Sequence, residues 1–288
     1  MLKVLKDEKF TEPCALLLGG FDGLHKGHAT LLVAAKKTGL PVGITSISGL
    51  KAGGDIFTLS EREVLFERAG ISFVRELVFD EKLKNLSAEE FLSRIFEKIN
   101  AKAIFCGEDF RFGRGAEGDV SLLKRASPCP VHALPVLFSG GEKIASSQIK
   151  AHLSRGEVAK ANELMQGNYF VRGTVEHGRG VGHTLGFPTV NVAFPAGKYP
   201  LREGVYGGRV GAQGASYPAI VNFGARPTFG VEEKRVEAYL SGFSGDLYGE
   251  EILIYPEEFL RPVVKFKRKE ELVAQLERDK KSLKEEKI

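Results

Sequence analysis

Residues 19–28, Gly-Gly-Phe-Asp-Gly-Leu-His-Lys-Gly-His, bring two imidazoles, one carboxylate and a set of glycines into one short segment. The apolar run Cys14–Leu18 precedes it, and Leu31, Leu32 and Ala35 follow at helical spacing, so the pattern predicts strand, turn, helix. Glycines such as Gly19 and Gly23 let a polyphosphate approach the backbone, and the amides of a helix start favour anions. His25 and His28 beside those amides can donate hydrogen bonds to a phosphoryl group as its charge shifts during in-line displacement. That chemistry suits nucleotidyl transfer, in which reactants are positioned and no covalent intermediate forms. Phe21 lies in the same turn, Asp22 either holds the turn or contacts the nucleotide, and Lys26 reads as a surface charge. The competing reading is a glycine turn with solvated histidines. The order of strand, turn, histidines and helix weighs against it.

Further clusters could act on phosphates or rings. Ser146 and Ser147 open a helical pattern with Lys150 one turn later, which is either an ordinary N-cap or a grip on the far end of a triphosphate. The loop after a short strand at 103–106 carries Asp109, Phe110, Arg111 and Phe112 between glycines. Its aromatics either stack on a ligand ring, with Arg111 pairing a phosphate, or anchor the loop in the core. In the second half, Gly178, Gly180, Gly182 and Gly186 allow a loop to wrap phosphates or form a plain hairpin. Thr189 and Asn191 follow two residues apart, on one face if extended, and offer hard oxygens suited to Mg²⁺ held together with ATP phosphates. Glu237 alternates with Val236 and Ala238 in a strand-like run; it is either solvated or a base for an attacking hydroxyl.

The elements that must position these residues change rhythm along the chain. Up to about residue 165, strand patterns (14–18, 42–47, 73–79, 103–106, 131–136) alternate with helical ones after His28, Ser60, Ser87 and Ser146. Capping-box spacing marks two helix starts, Ser60 with Glu63 and Ser87 with Glu90. Alternation predicts a parallel sheet covered on both faces, with ligands at the carboxyl ends of its strands. After Gly167, period-2 segments at 170–176, 204–210, 217–223, 235–240 and 252–259 predict a small antiparallel barrel or sandwich. The charged tail 267–287 spaces Leu272, Leu276 and Leu283 as a terminal helix laid on it. Domains are therefore expected at 1–166 and 167–288, as a length of 288 residues suggests.

Composition narrows the classes. Net charge is only +4, with basic residues dispersed except near the C-terminus, which argues against a nucleic-acid partner. No apolar run approaches a membrane span, and the first residues lack a signal-peptide core. Cys14, Cys106 and Cys129 are odd in number and lack metal spacing, as expected of free thiols in a reducing cytoplasm.

Taken together, these runs resemble the bacterial bifunctional riboflavin kinase/FAD synthetase family over nearly the whole chain. The resemblance rests on Gly19–His28, Gly107–Gly113, Ser146–Lys150, Gly186–Asn191, Gly204–Tyr206, Asn222–Thr228, Val236-Glu237, Leu247–Gly249 and Leu260–Pro262, in that order. It implies a Rossmann-like α/β nucleotidyltransferase domain that adenylylates FMN to FAD and releases pyrophosphate. It also implies a small antiparallel β-barrel kinase domain with a C-terminal helix that phosphorylates riboflavin with MgATP. His25 and His28 then contact ATP phosphates, Thr189 and Asn191 sit near Mg²⁺, Glu237 is the base toward the ribityl 5′-hydroxyl, and Arg261 lies near the flavin or its phosphate. Riboflavin, FMN and ATP are the expected partners, flavoproteins only indirectly, and no tightly bound organic cofactor is required.

The first domain departs from the family pattern. Ser46-Ile47-Ser48-Gly49-Leu50 stands where a Pro-His-Pro run is usual, Ala145 replaces the first serine of the helix start, and Lys150 replaces an arginine, losing its bidentate fork. The alternative is therefore a riboflavin kinase with a degenerate first domain. Two further readings, a class I aminoacyl-tRNA synthetase suggested by His-Lys-Gly-His and a non-catalytic flavin-binding regulator, fit the second half less well.

Overall fold

The computed structural model describes residues 1–49, 53–177, 187–228 and 231–283. The chain divides into two compact units, Met1–Gln148 with Leu164–Gly167, and Ile149–Glu163 with Asn168–Ile288.

The first unit is built on β1 (Lys3–Leu5), β2 (Phe10–Leu18), β3 (Val42–Ser48), β4 (Phe73–Val78), β5 (Ile99–Gly107) and β6 (Val131–Leu134). All neighbours pair in parallel, in the order β1-β4-β3-β2-β5-β6. A parallel sheet carries helices on its faces, so its central strand reads as a continuous apolar run. Cys14, Ala15, Leu16, Leu17 and Leu18 are all buried as a result. The helices are α1 (Lys26–Lys36), α2 (Leu59–Arg68), α3 (Glu81–Lys84), α4 (Ala88–Phe96) and α5 (Val120–Ala126), followed by a hairpin of β7 (Phe138–Ser139) and β8 (Glu142–Lys143).

Two helix starts differ from the sequence expectation. α1 opens at Lys26 with His25 as its N-cap, not after His28. α2 opens at Leu59, and the capping box is Thr58 with Glu61 rather than Ser60 with Glu63. Both pairs have the right spacing; the one used turns Arg62, Leu65 and Phe66 inward. At α4 the Ser87–Glu90 box forms as expected, with the Ser87 N–H donating to Glu90 Oε2 at 2.7 Å.

α6 (Ser146–Arg155) and α7 (Val158–Glu163) lead to the second unit's sheet. Its strands are β9 (Val171–Thr174), β10 (Thr189–Ala193), β11 (Gly204–Ala212), β12 (Ala215–Thr228), β13 (Val231–Leu240) and β14 (Glu251–Arg261). They pair antiparallel in the order β10-β13-β12-β11-β14-β9. Just past β9, the Glu176 N–H donates to Asn191 O of β10 at 2.8 Å, so the sheet nearly closes into a barrel. Val192, Val236, Ala238, Val221, Phe223 and Tyr206 fill the inner face. The terminal helix α8 (Lys269–Lys281) is tied to β14 through Asp279, as the charged tail led us to expect. Among the described residues, no helix is long and apolar enough to cross a membrane.

Candidate active sites

In the first unit, β3 and β4 extend the sheet to one side of β2, while β5 and β6 extend it to the other. The order therefore reverses between β2 and β5, and ligands of open α/β sheets bind outside the carboxyl ends of such a strand pair. Gly19–His28 leaves the end of β2 and the Asp109–Phe112 loop leaves the end of β5, so both runs lie at the switch point.

The turn is tightly built. Phe21 is fully buried with φ +44, a left-handed conformation costing a non-glycine residue about 1–2 kcal/mol. Its ring lies tilted against His28 with centroids 4.3 Å apart, and His28 stacks on His25 at 3.6 Å. His25 Nδ1 accepts the His28 N–H at 3.3 Å, which puts the proton of the neutral His25 ring on Nε2. His28 Nδ1 lies 2.7 Å from Gly23 O and donates to it, so His28 offers a second N–H only as imidazolium. Asp22 is buried at 4% exposure, and its Oδ1 accepts the Ile56 N–H at 2.5 Å. It ties the turn to the segment that begins α2.

Beneath the turn lies a guanidinium that the sequence did not single out. Arg62 has no exposed surface. It reaches Asp55 at 2.7 Å, Glu76 at 3.3 Å and Asp22 at 3.8 Å, and donates to Ser46 Oγ at 3.0 Å and Phe57 O at 3.0 Å. Ser46 in turn donates to Gly20 O at 3.2 Å. The serine standing at the Pro-His-Pro position thus links Arg62 to the phosphate turn. Burial raises the Glu76 carboxyl above its ordinary range, against the pull of Arg62. No spacing rule marks Arg62 in the sequence, because an arginine on a charged helix reads as solvated.

In the β5 loop, Phe112 is 5% exposed, stacks on Phe91 at 5.6 Å and bridges Gly118; its ring is a core anchor. Phe110 packs partly buried beside it at 5.5 Å, while Arg111 is exposed and Asp109 pairs with Lys143. Gly113 follows at φ +77, where a Cβ would come within 2.8 Å of the Ala88 backbone. Ser146 is buried at the start of α6 and Ser147 is exposed. Lys150, one turn on, is 6% exposed with Nζ 5.3 Å from the centre of the Tyr199 ring.

In the second unit, strand register assembles the site. Asn191 of β10 faces Glu237 of β13, which faces Asn222 of β12, then Val205 of β11 and Arg261 of β14. Directly paired residues share a face, and this row lies on the face opposite the inner core. Thr189 is two residues along β10 from Asn191, and its hydroxyl donates to Glu237 Oε1 at 2.8 Å. At the far end, Arg261 clasps Asp279 of α8, with Nη2–Oδ2 at 2.7 Å and Nε at 3.1 Å from both oxygens. Gln275 adds a bond to Asp279 Oδ1 at 2.7 Å, and Lys280 Nζ lies 5.9 Å from the Tyr239 ring. α8 therefore covers the face that carries Glu237 and Arg261. Gly178, Gly180, Gly182 and Gly186 lie outside the described residues.

Thr189, Asn191 and Glu237 together form a set of hard oxygens, the donor type that suits Mg²⁺ shared with ATP phosphates. Among the described residues, no group of three His, Cys, Asp or Glu side chains is placed to hold a metal.

The FAD synthetase family model matches residues 7–148, and the riboflavin kinase model matches residues 165–286. A bifunctional riboflavin kinase/FMN adenylyltransferase of Escherichia coli K12 is 32% identical over 285 residues, covering 93% of this chain and 91% of the relative. One from Pseudomonas fluorescens is 29% identical over 282 residues, covering 92% and 90%. A Streptococcus pneumoniae crystal structure, described as a macrolide-efflux protein, is 30% identical and superposes with a TM-score of 0.86 over 96% of this chain and 97% of its own. The chain belongs to the bifunctional riboflavin kinase/FMN adenylyltransferase family and is an enzyme that makes FMN from riboflavin and FAD from FMN.

Proposed function

We propose that the barrel face between β10 and β14 phosphorylates riboflavin, and that the β2–α1 turn binds ATP for adenylylation of FMN. The observation that carries the kinase assignment is the contact of the Thr189 hydroxyl with the Glu237 carboxylate beside in-register Asn191. In this reading Glu237 takes the proton of the ribityl 5′-hydroxyl as that oxygen attacks the γ-phosphorus of ATP. The bond from the γ-phosphorus to the bridging oxygen breaks, giving FMN and ADP. Thr189 orients the base by donating to one of its oxygens. Thr189 and Asn191 would hold Mg²⁺, which when bound offsets charge on the ATP phosphates. Arg261 lies about 14 Å from Glu237, three strand spacings along the row, a span suited to the flavin ring beyond the ribityl chain.

At the first unit, a phosphate oxygen of FMN attacks the α-phosphorus of ATP and pyrophosphate leaves. His25, with Nε2–H fixed by its cap, donates to the phosphates without needing a charge; His28 adds a donor when protonated. Gly19, Phe21, Asp22 and Gly23 shape the turn, and Ser146 and Ser147 of the same unit are assigned to the nucleotide. Asp109, Phe110 and Arg111 are assigned to the flavin, with Phe112 supporting the loop. Free thiols at Cys14, Cys106 and Cys129 support a cytoplasmic setting.

The test follows flavins by chromatography in riboflavin, ATP and Mg²⁺, with wild type and Glu237→Gln. Wild type is expected to give FMN and then FAD. Glu237→Gln is expected to lose at least about 100-fold in FMN formation while still converting supplied FMN to FAD. Full kinase turnover in Glu237→Gln would overturn the assignment.

A further inference from the structure

Between the proposed base and the flavin end of the row sits an amide whose oxygen has no hydrogen-bond partner among the described residues. Asn222 pairs in register with Glu237 on one side and Val205 on the other. Its Oδ1 is buried and accepts no hydrogen bond. Glu237 is a carboxylate whose Oε1 already takes the Thr189 hydroxyl, and Val205, 5% exposed, offers only hydrocarbon. Neither neighbour can donate to Oδ1. A buried acceptor left unpaired costs about 1–3 kcal/mol, so a conformation that keeps one at an active site points to a partner that arrives with the ligand.

The surroundings select the chemistry of that partner. An acceptor beside a carboxylate disfavours phosphate and carboxylate groups and accepts a neutral donor. A hydroxyl meets the requirement whichever way round the amide sits, because it donates to oxygen and accepts from nitrogen. In-register neighbours have Cβ atoms about 5 Å apart, so a group bound at Asn222 lies next to the group bound at Glu237. We propose that Asn222 receives the ribityl 4′-hydroxyl, the neighbour of the hydroxyl that is phosphorylated, and thereby selects a polyol chain. This rests on the assignment of Glu237 as the base.

The experiment compares riboflavin with 4′-deoxyriboflavin as kinase substrates for wild type and Asn222→Leu, with Mg²⁺ varied. Riboflavin binding without ATP, read by quenching of flavin fluorescence, is a second readout. Wild type is expected to favour riboflavin by roughly 10- to 100-fold in kcat/KM, because the deoxy compound leaves the amide unpaired. Asn222→Leu is expected to lose that preference, with riboflavin falling to the level of the deoxy compound in turnover and in binding. Near-ultraviolet circular dichroism and thermal unfolding report that the barrel of the variant is folded; if Asn222→Leu fails there, Asn222→Ala carries the same comparison. Undiminished preference for riboflavin in the variant would overturn the proposal. A higher Mg²⁺ requirement that is equal for both substrates would also overturn it, since it would make Asn222 a metal ligand. Should Glu237→Gln keep kinase turnover while Asn222→Leu loses discrimination, the base assignment falls and the Asn222 contact stands.

Discussion

Replacing Arg62 with methionine removes the cation from beneath the phosphate turn while keeping a long apolar side chain. Asp55, Glu76 and Asp22 lie 2.7, 3.3 and 3.8 Å from the guanidinium, all with side chains no more than 12% exposed. Removing one partner of a buried ion pair costs about 3–5 kcal/mol, mostly because the remaining charge stays buried. At roughly 2–4 °C per kcal/mol for a domain of this size, Tm should fall by about 10 °C. Because Ser46 joins Arg62 to Gly20 O, FAD formation at 25 °C should fall as well, while FMN formation at the barrel is kept. Thermal unfolding and the flavin time course read the two effects. Glu76 adds a pH signature. Its folded pKa is raised above its ordinary value of 4.5, so its contribution to stability is full below that value and is lost as pH rises through the folded pKa. Glu76→Gln should remove that decline. An Arg62→Met protein that melts within about 2 °C of wild type, less than 1 kcal/mol by the same conversion, and still makes FAD normally would refute this account of the turn.

Two further outcomes follow from the same structure. Arg261→Ala takes the guanidinium from Asp279, which is 4% exposed, so α8 should be cut by protease at lower doses and KM for riboflavin should rise several-fold; unchanged proteolysis and KM would show that the clasp is idle. Burial pushes the Cys14 thiol up to about 12 and the Cys106 thiol up to about 11, leaving Cys129 the more accessible. An aromatic disulfide reagent at about pH 8 should therefore titrate Cys129 first in the native protein and all three only after unfolding.

Local signals were sufficient wherever one segment fixes its own structure. Cys14–Leu18 reads as a buried strand because a covered parallel sheet needs apolar residues on both faces, and it is β2. Ser87 and Glu90 mark a helix start because each satisfies the other's backbone donor. The signal failed where two local solutions were equivalent. Thr58 with Glu61 and Ser60 with Glu63 have the same spacing, and the choice between them was made by the burial of Arg62 and Phe66, a tertiary matter. β10 is absent from the expected strands for a different reason: its five residues are too short a run to set a period by themselves, and pairing with β13 defines them.

The kinase face shows why some site residues stay hidden even when most of the motifs are visible. Thr189, Asn191 and Glu237 stood out because each lies in a run with its own chemical character. Asn222 did not, since a single asparagine in a Val/Ile/Phe strand carries no spacing signature. Its neighbours are set by antiparallel register: Glu237 is fifteen positions away along the chain but directly opposite across the ladder. Register is fixed in turn by the inner face, where Phe223 meets Val236 and Val221 meets Ala238. A slip of β12 by one residue would turn Val221 and Phe223 outward and carry Asn222 inside, away from Glu237. The packing that holds the barrel together therefore also holds the amide against the carboxylate, and neither can be read until the strands are paired.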